Sequence, residues 1–459
     1  MNYKKSLFAF AALVVSLASC GDETAKISSI PTDGFTVNGD KPRVVVMTDG
    51  EIDDRCSMVH FLLCSNEFEV DAIIQTNSIF QRQGWSSIHW IEKQLDDYEA
   101  VYPNLKVHSA DFPTPDYLRS VLFLGDEDST HLGQARVPYV PGRETEETLD
   151  PTPWPKTPGS DKIVDLLLED DPRTVFIQAW GGGNTAAKAF QVLKDEHPAD
   201  YERAVKKAVL YNIWYQDGGG QYIEKFHPDV TMLNCNSFAG TWNYNSQRYT
   251  RGFAEELLHK DHGPLAANYV QGDISEGDSP SFFYNMDNGL RSYEHPTYGG
   301  WGGRFRKVEG LKNVWIDTGK GSYSRWIEYV NRDFEARLNW CVTPKYEDAS
   351  HRPDIEIVSG LEITVASGDT VVIEAIVSSS GRGTGGMTQW WQYEEAGTYG
   401  GYVDLHPSFN SREPNARNTV TFVAPRVDVP QTIHIIAETS AGRNPSLAAF
   451  KRVIVTVQP

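Results

Sequence analysis

From Arg43 onward the chain alternates short, unbroken apolar runs with longer segments whose apolar residues recur at helical spacing, and few folds accept that pattern. Val44-Val45-Val46-Met47 is apolar at every position, so a strand there needs cover on both faces. Asp49-Gly50 ends it, and between Asp54 and Leu63 the residues Met58, Val59, Leu62 and Leu63 mark one face of a helix. Further strands are predicted at Val70–Ile74, Val175–Ala179, Ala208–Ile213 and Val230–Leu233. Helices fit between them at Ile88–Tyr98, at Ser160–Leu168 with Ser160 as N-cap, and at Thr185–Leu193. The expected architecture is α/β: a mostly parallel sheet flanked by helices, with its ligand at the C-terminal ends of the strands. Residues 114–159 and 271–310 are rich in Pro and Gly and read as irregular loops of the kind that carry function.

Near Tyr346 the pattern changes. Short alternating segments such as Leu361-Ile363-Val365, Val371-Ile373-Ala375 and Val453-Val455-Val457 then sit between Gly, Pro, Asn and Ser. They predict a small all-β, immunoglobulin-like antiparallel sandwich. Trp390, Trp391 and Tyr393 share one segment, where alternation sets Trp390 opposite Trp391 and Tyr393; one side is expected in the core and the other is a candidate sugar platform. At the opposite end, Lys4 and Lys5 precede an apolar stretch, Leu7–Leu17, that is short for a bilayer span and reads as a signal peptide. Leu17-Ala18-Ser19-Cys20 resembles a lipobox, in which Cys20 would be acylated. The expected order is a lipoprotein signal peptide over 1–20, a polar tether over 21–40, the α/β domain over 41–346 and the sandwich over 352–459. Such a chain would be anchored by lipid in the outer membrane, facing the periplasm or the cell surface, and would touch the membrane only through that anchor.

Composition narrows the partners. With 42 basic and 62 acidic side chains the formal net charge is −20, which argues against a nucleic-acid polymer and suits neutral ligands and divalent cations. The 12 Trp, 21 Tyr and 20 Phe are enough to furnish both a core and sugar contacts, so a small-molecule or oligosaccharide substrate is expected. Self-association is left open. Cys56, Cys64, Cys235 and Cys341 are too scattered for a disulfide framework, and Cys56 and Cys64 read as buried thiols.

The chemistry concentrates at Met47-Thr48-Asp49-Gly50-Glu51-Ile52-Asp53-Asp54. One carboxylate closes a buried strand and two open the next helix. The helix N-terminus offsets part of their repulsion, and a hard cation such as calcium, which takes oxygen ligands, would offset more. The competing reading is that Asp53 caps the helix and Asp54 is an exposed first-turn acid.

Asp-x-x-x-Asp-Asp after the first strand resembles the signature of nucleoside hydrolases. The resemblance implies a calcium site whose metal activates a water against an anomeric carbon. It assigns Asp49 as ligand and general base, Asp53 to sugar hydroxyls and Asp54 as calcium ligand. It extends to Gln75-Thr76-Asn77, where Asn77 matches a sugar-binding asparagine. Ala179-Trp180-Gly181-Gly182-Gly183-Asn184-Thr185 is similar to the family's turn whose carbonyl completes the metal shell, with Asn184 at the matching position. Where the family carries a His-Asp pair this chain has Glu276-Gly277-Asp278, so Asp278 is the candidate last ligand. Together with the sandwich, the set resembles a subfamily of secreted bacterial proteins often labelled cellulose-binding. Glu294 and His295 are candidates for a general acid, and Asp217, in Tyr215-Gln216-Asp217-Gly218, for substrate binding. The reading that follows is a calcium-dependent hydrolase of N- or O-glycosidic bonds, with a non-catalytic carbohydrate-binding lipoprotein as the alternative.

Overall fold

The computed structural model describes residues 34–37, 41–140, 154–239, 241, 260–269, 276–378, 388–409, 415, 417–441 and 444–459. The expected signal peptide over 1–20, including Cys20, lies outside the described residues, as does the tether except for residues 34–37. No described helix is long and apolar enough to cross a membrane.

Eight strands form one sheet: β1 (Arg43–Thr48), β2 (Glu69–Gln75), β3 (Leu122–Leu124), β4 (Val175–Ala179), β5 (Ala208–Ile213), β6 (Thr231–Cys235), β7 (Phe305–Lys307) and β8 (Val314–Asp317). Their order is β3-β2-β1-β4-β5-β6-β8-β7, parallel throughout except between β7 and β8. In β1, Val44 and Val46 enter one apolar layer while Val45 and Met47 enter the other, as a strand covered on both faces requires. The chain runs outward from β1 to β2 and β3, then returns to the other side of β1 at β4. That reversal opens a crevice at the C-terminal ends of β1 and β4.

Several local expectations are corrected. Ser160 is not the N-cap of its helix. Thr157 caps the helix Pro158–Leu168, and Ser160 returns the bond from the third helical position in a capping box. The helix expected to end at Tyr98 runs from Trp90 to His108 and carries Pro103 within it. The stretch read as irregular from 114 contains the helix Pro115–Ser120 and the strand β3.

The C-terminal unit consists of β9 (Asp354–Ile357), β10 (Glu362–Ala366), β11 (Thr370–Ser378), β12 (Gln389–Gln392), β13 (His406–Phe409), β14 (Arg417–Val423), β15 (Gln431–Ala441) and β16 (Leu447–Gln458). They form two sheets, β10-β16-β15-β12 and β13-β14-β11-β9. The sandwich is not wholly antiparallel, because β10 pairs with β16 in parallel. Its core is built from Val371, Ile373, Val420, Phe422, Ile435 and Val455 among others.

The two units share a core-like seam. Tyr393, Ile436 and Phe450 of the sandwich belong to the same apolar cluster as Trp326, Trp301 and Phe282 of the α/β unit. Trp391 and Tyr393 lie against Trp326, with ring centroids 6.3 and 6.2 Å away, and the Arg325 guanidinium covers all three rings. Trp391 and Tyr393 are therefore committed to the seam, while Trp390, on the other face, packs against the core of the sandwich. Arg452, fully buried, donates to the carbonyls of Leu290, Tyr298 and Gly299 at 2.6, 2.8 and 2.9 Å. Cys56, Cys64, Cys235 and Cys341 form no disulfide among the described residues, and all four are buried.

Candidate metal centre

At the end of β1 the backbone turns through Gly50, whose φ of +80° favours glycine. A Cβ at that position would sit 2.8 Å from the Trp90 indole nitrogen, so the turn is tight against its neighbour as well. The turn sends the chain directly into the helix Ile52–Cys64, leaving Asp49 before it and Asp53 and Asp54 in its first turn. The Asp54 carboxylate accepts from the Thr48 hydroxyl and, at 3.1 Å, from the Asp49 amide. Asp49 Oδ1 accepts from the Glu51 amide at 3.0 Å. Glu51, not Asp53, occupies the N-cap, and no side chain caps this helix. The simple capping account of Asp53 fails.

Asp278 arrives from the turn before the helix Ser279–Phe283. Asp53, Asp54 and Asp278 each offer an oxygen within 4.8 Å of the others, the only such group of three or more His, Cys, Asp or Glu found among the described residues. All three are buried, and so is Asp49. Asp49 Oδ2, Asp53 Oδ1 and Asp278 Oδ2 have no hydrogen-bond partner among the described residues. Burial first, and then mutual repulsion, raises the pKa of Asp53, Asp54 and Asp278, and burial raises that of Asp49. Glu51 is pushed up to about 8, by burial and then by the charges of Asp53 and Asp49. Buried carboxylate oxygens without partners are costly unless a cation meets them. The donor set, all hard oxygen, fits calcium better than a softer metal. The grouping differs from the expected ligand set. Asp53, assigned to sugar hydroxyls, stands among the grouped carboxylates, while Asp49 lies beside them.

The Gly-rich turn after β4 packs onto this cluster at Gly181, where a Cβ would lie 2.9 Å from that of Asp49. Asn184 is held elsewhere: its amide donates to Asp217 Oδ2 at 3.0 Å and its Nδ2 to the His131 carbonyl at 2.7 Å. These bonds tie its amide and its side-chain nitrogen to Asp217 and His131, while its Oδ1 is buried without a partner among the described residues. Asp217 also accepts from the Gly219 amide at 2.7 Å, so both its oxygens brace the turn. Burial pushes its pKa up to about 6 despite those amides. Asn77 joins the same junction, its carbonyl accepting from the Gly182 amide at 2.9 Å and its Nδ2 donating to the Arg82 carbonyl at 3.1 Å.

Glu294 and His295 are not brought to this edge. Glu294 pairs with Arg291 at 2.6 Å, and its carbonyl accepts from Phe35. The ring of Phe35 packs on Phe176, near the start of β4 and therefore at the opposite end of the sheet. His295 is buried, bonded to Thr297 at 2.8 Å and set edge-on to Trp315 near the start of β8. A sequence position inside a polar loop says nothing about which end of the sheet the loop visits.

Two features escaped the sequence reading. His131 Nδ1 lies 3.0 Å from Asp126 Oδ2, and the segment that carries them packs on the first turn of the helix Asn184–Glu196, where the Asp126 amide donates to the Thr185 hydroxyl oxygen at 2.9 Å. The pair lay in a stretch read as irregular, and only its Asp-to-His spacing could have singled it out. The second is a buried ion pair, His60 Nδ1 to Glu276 Oε2 at 2.9 Å, behind the carboxylates. Burial opposes the charge of His60, but Glu276 outweighs it and pushes the pKa up to about 9.

Residues 43–305, more than half of the chain, match the family described as Cellulose-binding Sde182, nucleoside hydrolase-like domain. The chain belongs to this family. The Sde182-type assignment extends to the sandwich, where residues 370–457 match the C-terminal domain of the cellulose-binding protein Sde0182. The Sde182-type chain is similar to a solved nucleoside hydrolase-related hypothetical protein from Saccharophagus degradans that is associated with carbohydrate metabolism. The two are 26% identical, with a TM-score of 0.76 over 91% of this chain and 100% of that one. Domains 4 and 5 of the S-layer protein SbsC match at 20% identity over 23% of this chain and 54% of that one, with a TM-score of only 0.16. The sialic acid binding region of a Streptococcus sanguinis SK1 adhesin matches at 16% identity over 24% and 30% of the two chains, with a TM-score of 0.17. No curated protein matches the sequence.

Proposed function

We propose that the α/β unit is a calcium-dependent hydrolase of glycosidic bonds. One observation carries this reading: buried carboxylate oxygens of Asp49, Asp53 and Asp278, without partners among the described residues, gather at the crevice where such sheets bind ligands. Asp53, Asp54 and Asp278 would hold the cation. When bound, calcium supplies a polarised, oriented water and neutralises the gathered charge. Asp49 has one oxygen fixed by the Glu51 amide, which leaves Oδ2 to take the proton of the attacking water. Direct attack by water implies inversion at the anomeric carbon. As the glycosidic bond breaks, the leaving atom needs a proton. His131, oriented by Asp126 and about one-fifth exposed at 19%, is better placed to give it than Glu294 or His295.

The second reading is a carbohydrate-binding protein that keeps the metal site to grip sugar hydroxyls without turnover. The description of both matching families as cellulose-binding favours it. One experiment separates the two. Purified protein is incubated with nucleosides and with plant and other glycan oligosaccharides, in calcium and in EDTA, and released reducing sugar is measured. The hydrolase reading expects calcium-dependent turnover that Asp49→Asn abolishes. Saturable oligosaccharide binding with no turnover on the whole panel establishes the binder instead. Turnover that Asp49→Asn leaves unchanged refutes the assigned base.

A further inference from the structure

The gathered carboxylates come from two chain segments more than two hundred residues apart, and their charges drive those segments away from each other. Asp53 and Asp54 ride on the helix Ile52–Cys64, while Asp278 sits on the turn before Ser279–Phe283. His60 lies seven positions after Asp53, two turns along the same helical face. Glu276 lies two residues before Asp278. Their side chains meet at 2.9 Å. Glu276 is further fixed by the Tyr269 hydroxyl at 2.6 Å and the Ser279 hydroxyl at 2.7 Å. Ser279 also reaches back to Ser57 on the helix at 3.1 Å. The imidazole is itself immobilised, stacked on Phe334 at 4.0 Å between centroids and flanked edge-on by Phe282 and Phe283. Each of these residues is buried.

We propose that the His60–Glu276 pair is a positioning device that holds Asp278 within ligand range of Asp53 and Asp54. It rests on the metal reading of the site, but not on catalysis. Neither residue is grouped with the proposed ligands. Each is rigidly connected to one side of the site, so the bond between them sets the gap that a cation must bridge. A buried charge pair is an expensive way merely to join two segments, since apolar packing of the same volume stabilises as well or better. What an ion pair adds is a defined length and direction.

The test uses the full chain and calcium alone as probe. Calcium affinity is measured by titration calorimetry for wild type, His60→Gln and Glu276→Gln, and melting in EDTA is recorded for each. The expected result is calcium affinity weaker by about 10–100-fold, the range for groups that orient metal ligands. Tyr269→Phe removes one bond to Glu276 and keeps the pair, and should weaken calcium less, with the fold intact. Variants that melt lower in EDTA but bind calcium with wild-type affinity would show a merely structural role and overturn the proposal. Should Glu276→Gln fail to fold, unchanged affinity in both Tyr269→Phe and Ser279→Ala overturns it equally. A wild type that binds no calcium at millimolar concentration removes the metal reading, and this proposal with it. A wild type that binds while the variants bind equally removes only this proposal.

Discussion

Replacing Asp278 by Asn should stabilise the metal-free protein and abolish its stabilisation by calcium. Asp278 has an oxygen within 4.8 Å of oxygens on Asp53 and Asp54. At an effective dielectric of about 20, two unit charges separated by 4.8 Å repel by roughly 3.5 kcal/mol. The Asp278 side chain caps nothing, so Asn forfeits no helix-capping bond. Because partial protonation already relieves some of the repulsion, the expected gain is about 2–3 kcal/mol, or roughly 2–3 °C in Tm for a chain of this size. The sign with pH follows from folded-state values lying above the unfolded 3.8. The stability of the metal-free cluster is fully present below about pH 4 and is lost as pH rises toward about 7. Calcium requires ionised carboxylates, so its Tm increment should grow across the same window. Calorimetric melts of wild type and Asp278→Asn, in EDTA and in millimolar calcium at several pH values, measure all of this. A variant that melts below wild type in EDTA at neutral pH, or that keeps the wild-type calcium shift, refutes the reasoning.

Gly182→Ala would place a Cβ 2.1 Å from Asp217 Oδ2 and 2.6 Å from the Asn77 carbonyl; overpacking there should cost about 1–3 kcal/mol or more, read as a lower urea midpoint and lost turnover. Arg452→Met leaves the carbonyls of Leu290, Tyr298 and Gly299 without their guanidinium donor, and a loss of about 3–5 kcal/mol is expected, seen as a lower Tm and faster proteolysis between the two units; an unchanged Tm would dismiss the clamp. His131→Gln should slow hydrolysis of substrates with poor leaving groups far more than of nitrophenyl glycosides, and equal slowing of both would remove its role as proton donor. Cys20→Ala should shift the protein out of the membrane fraction, whereas unaltered fractionation would end the lipid-anchor proposal.

The sheet was legible because β1, β4 and β5 each carry at least three consecutive apolar residues, a pattern that survives without tertiary information. Val175–Ala179 and Ala208–Ile213 coincide with β4 and β5 for that reason. β3 was not legible: three residues, two half-buried and one exposed, carry too little apolar signal. The acids at Asp49, Asp53 and Asp54 could be read because one turn supplies them all, and Gly50 marks that turn. Their division of labour could not, since whether Asp49 or Asp53 groups with Asp278 depends on side-chain directions set by Thr48, Gly181 and the Glu51 amide. Glu294 and His295 misled because composition identifies a polar loop but not the edge of the sheet it packs against. His60 gave no signal at all, as a histidine inside an apolar helix looks the same whether it meets a carboxylate or an aromatic ring.

Arg452 has a consequence for how the sandwich can be used. The loop it grips, from Leu290 to Gly299, continues the same stretch that leaves Asp278, and the backbone of Phe450 lies so close to Gly289 that even a methyl group would not fit between them. A seam this close and this specific leaves little slack between the described parts of the two units. Anything held by the sandwich would thus keep one fixed distance and bearing from the crevice, and tension on it would pass through Arg452 into the backbone of Leu290, Tyr298 and Gly299 instead of being absorbed by slack. The two folded units travel together.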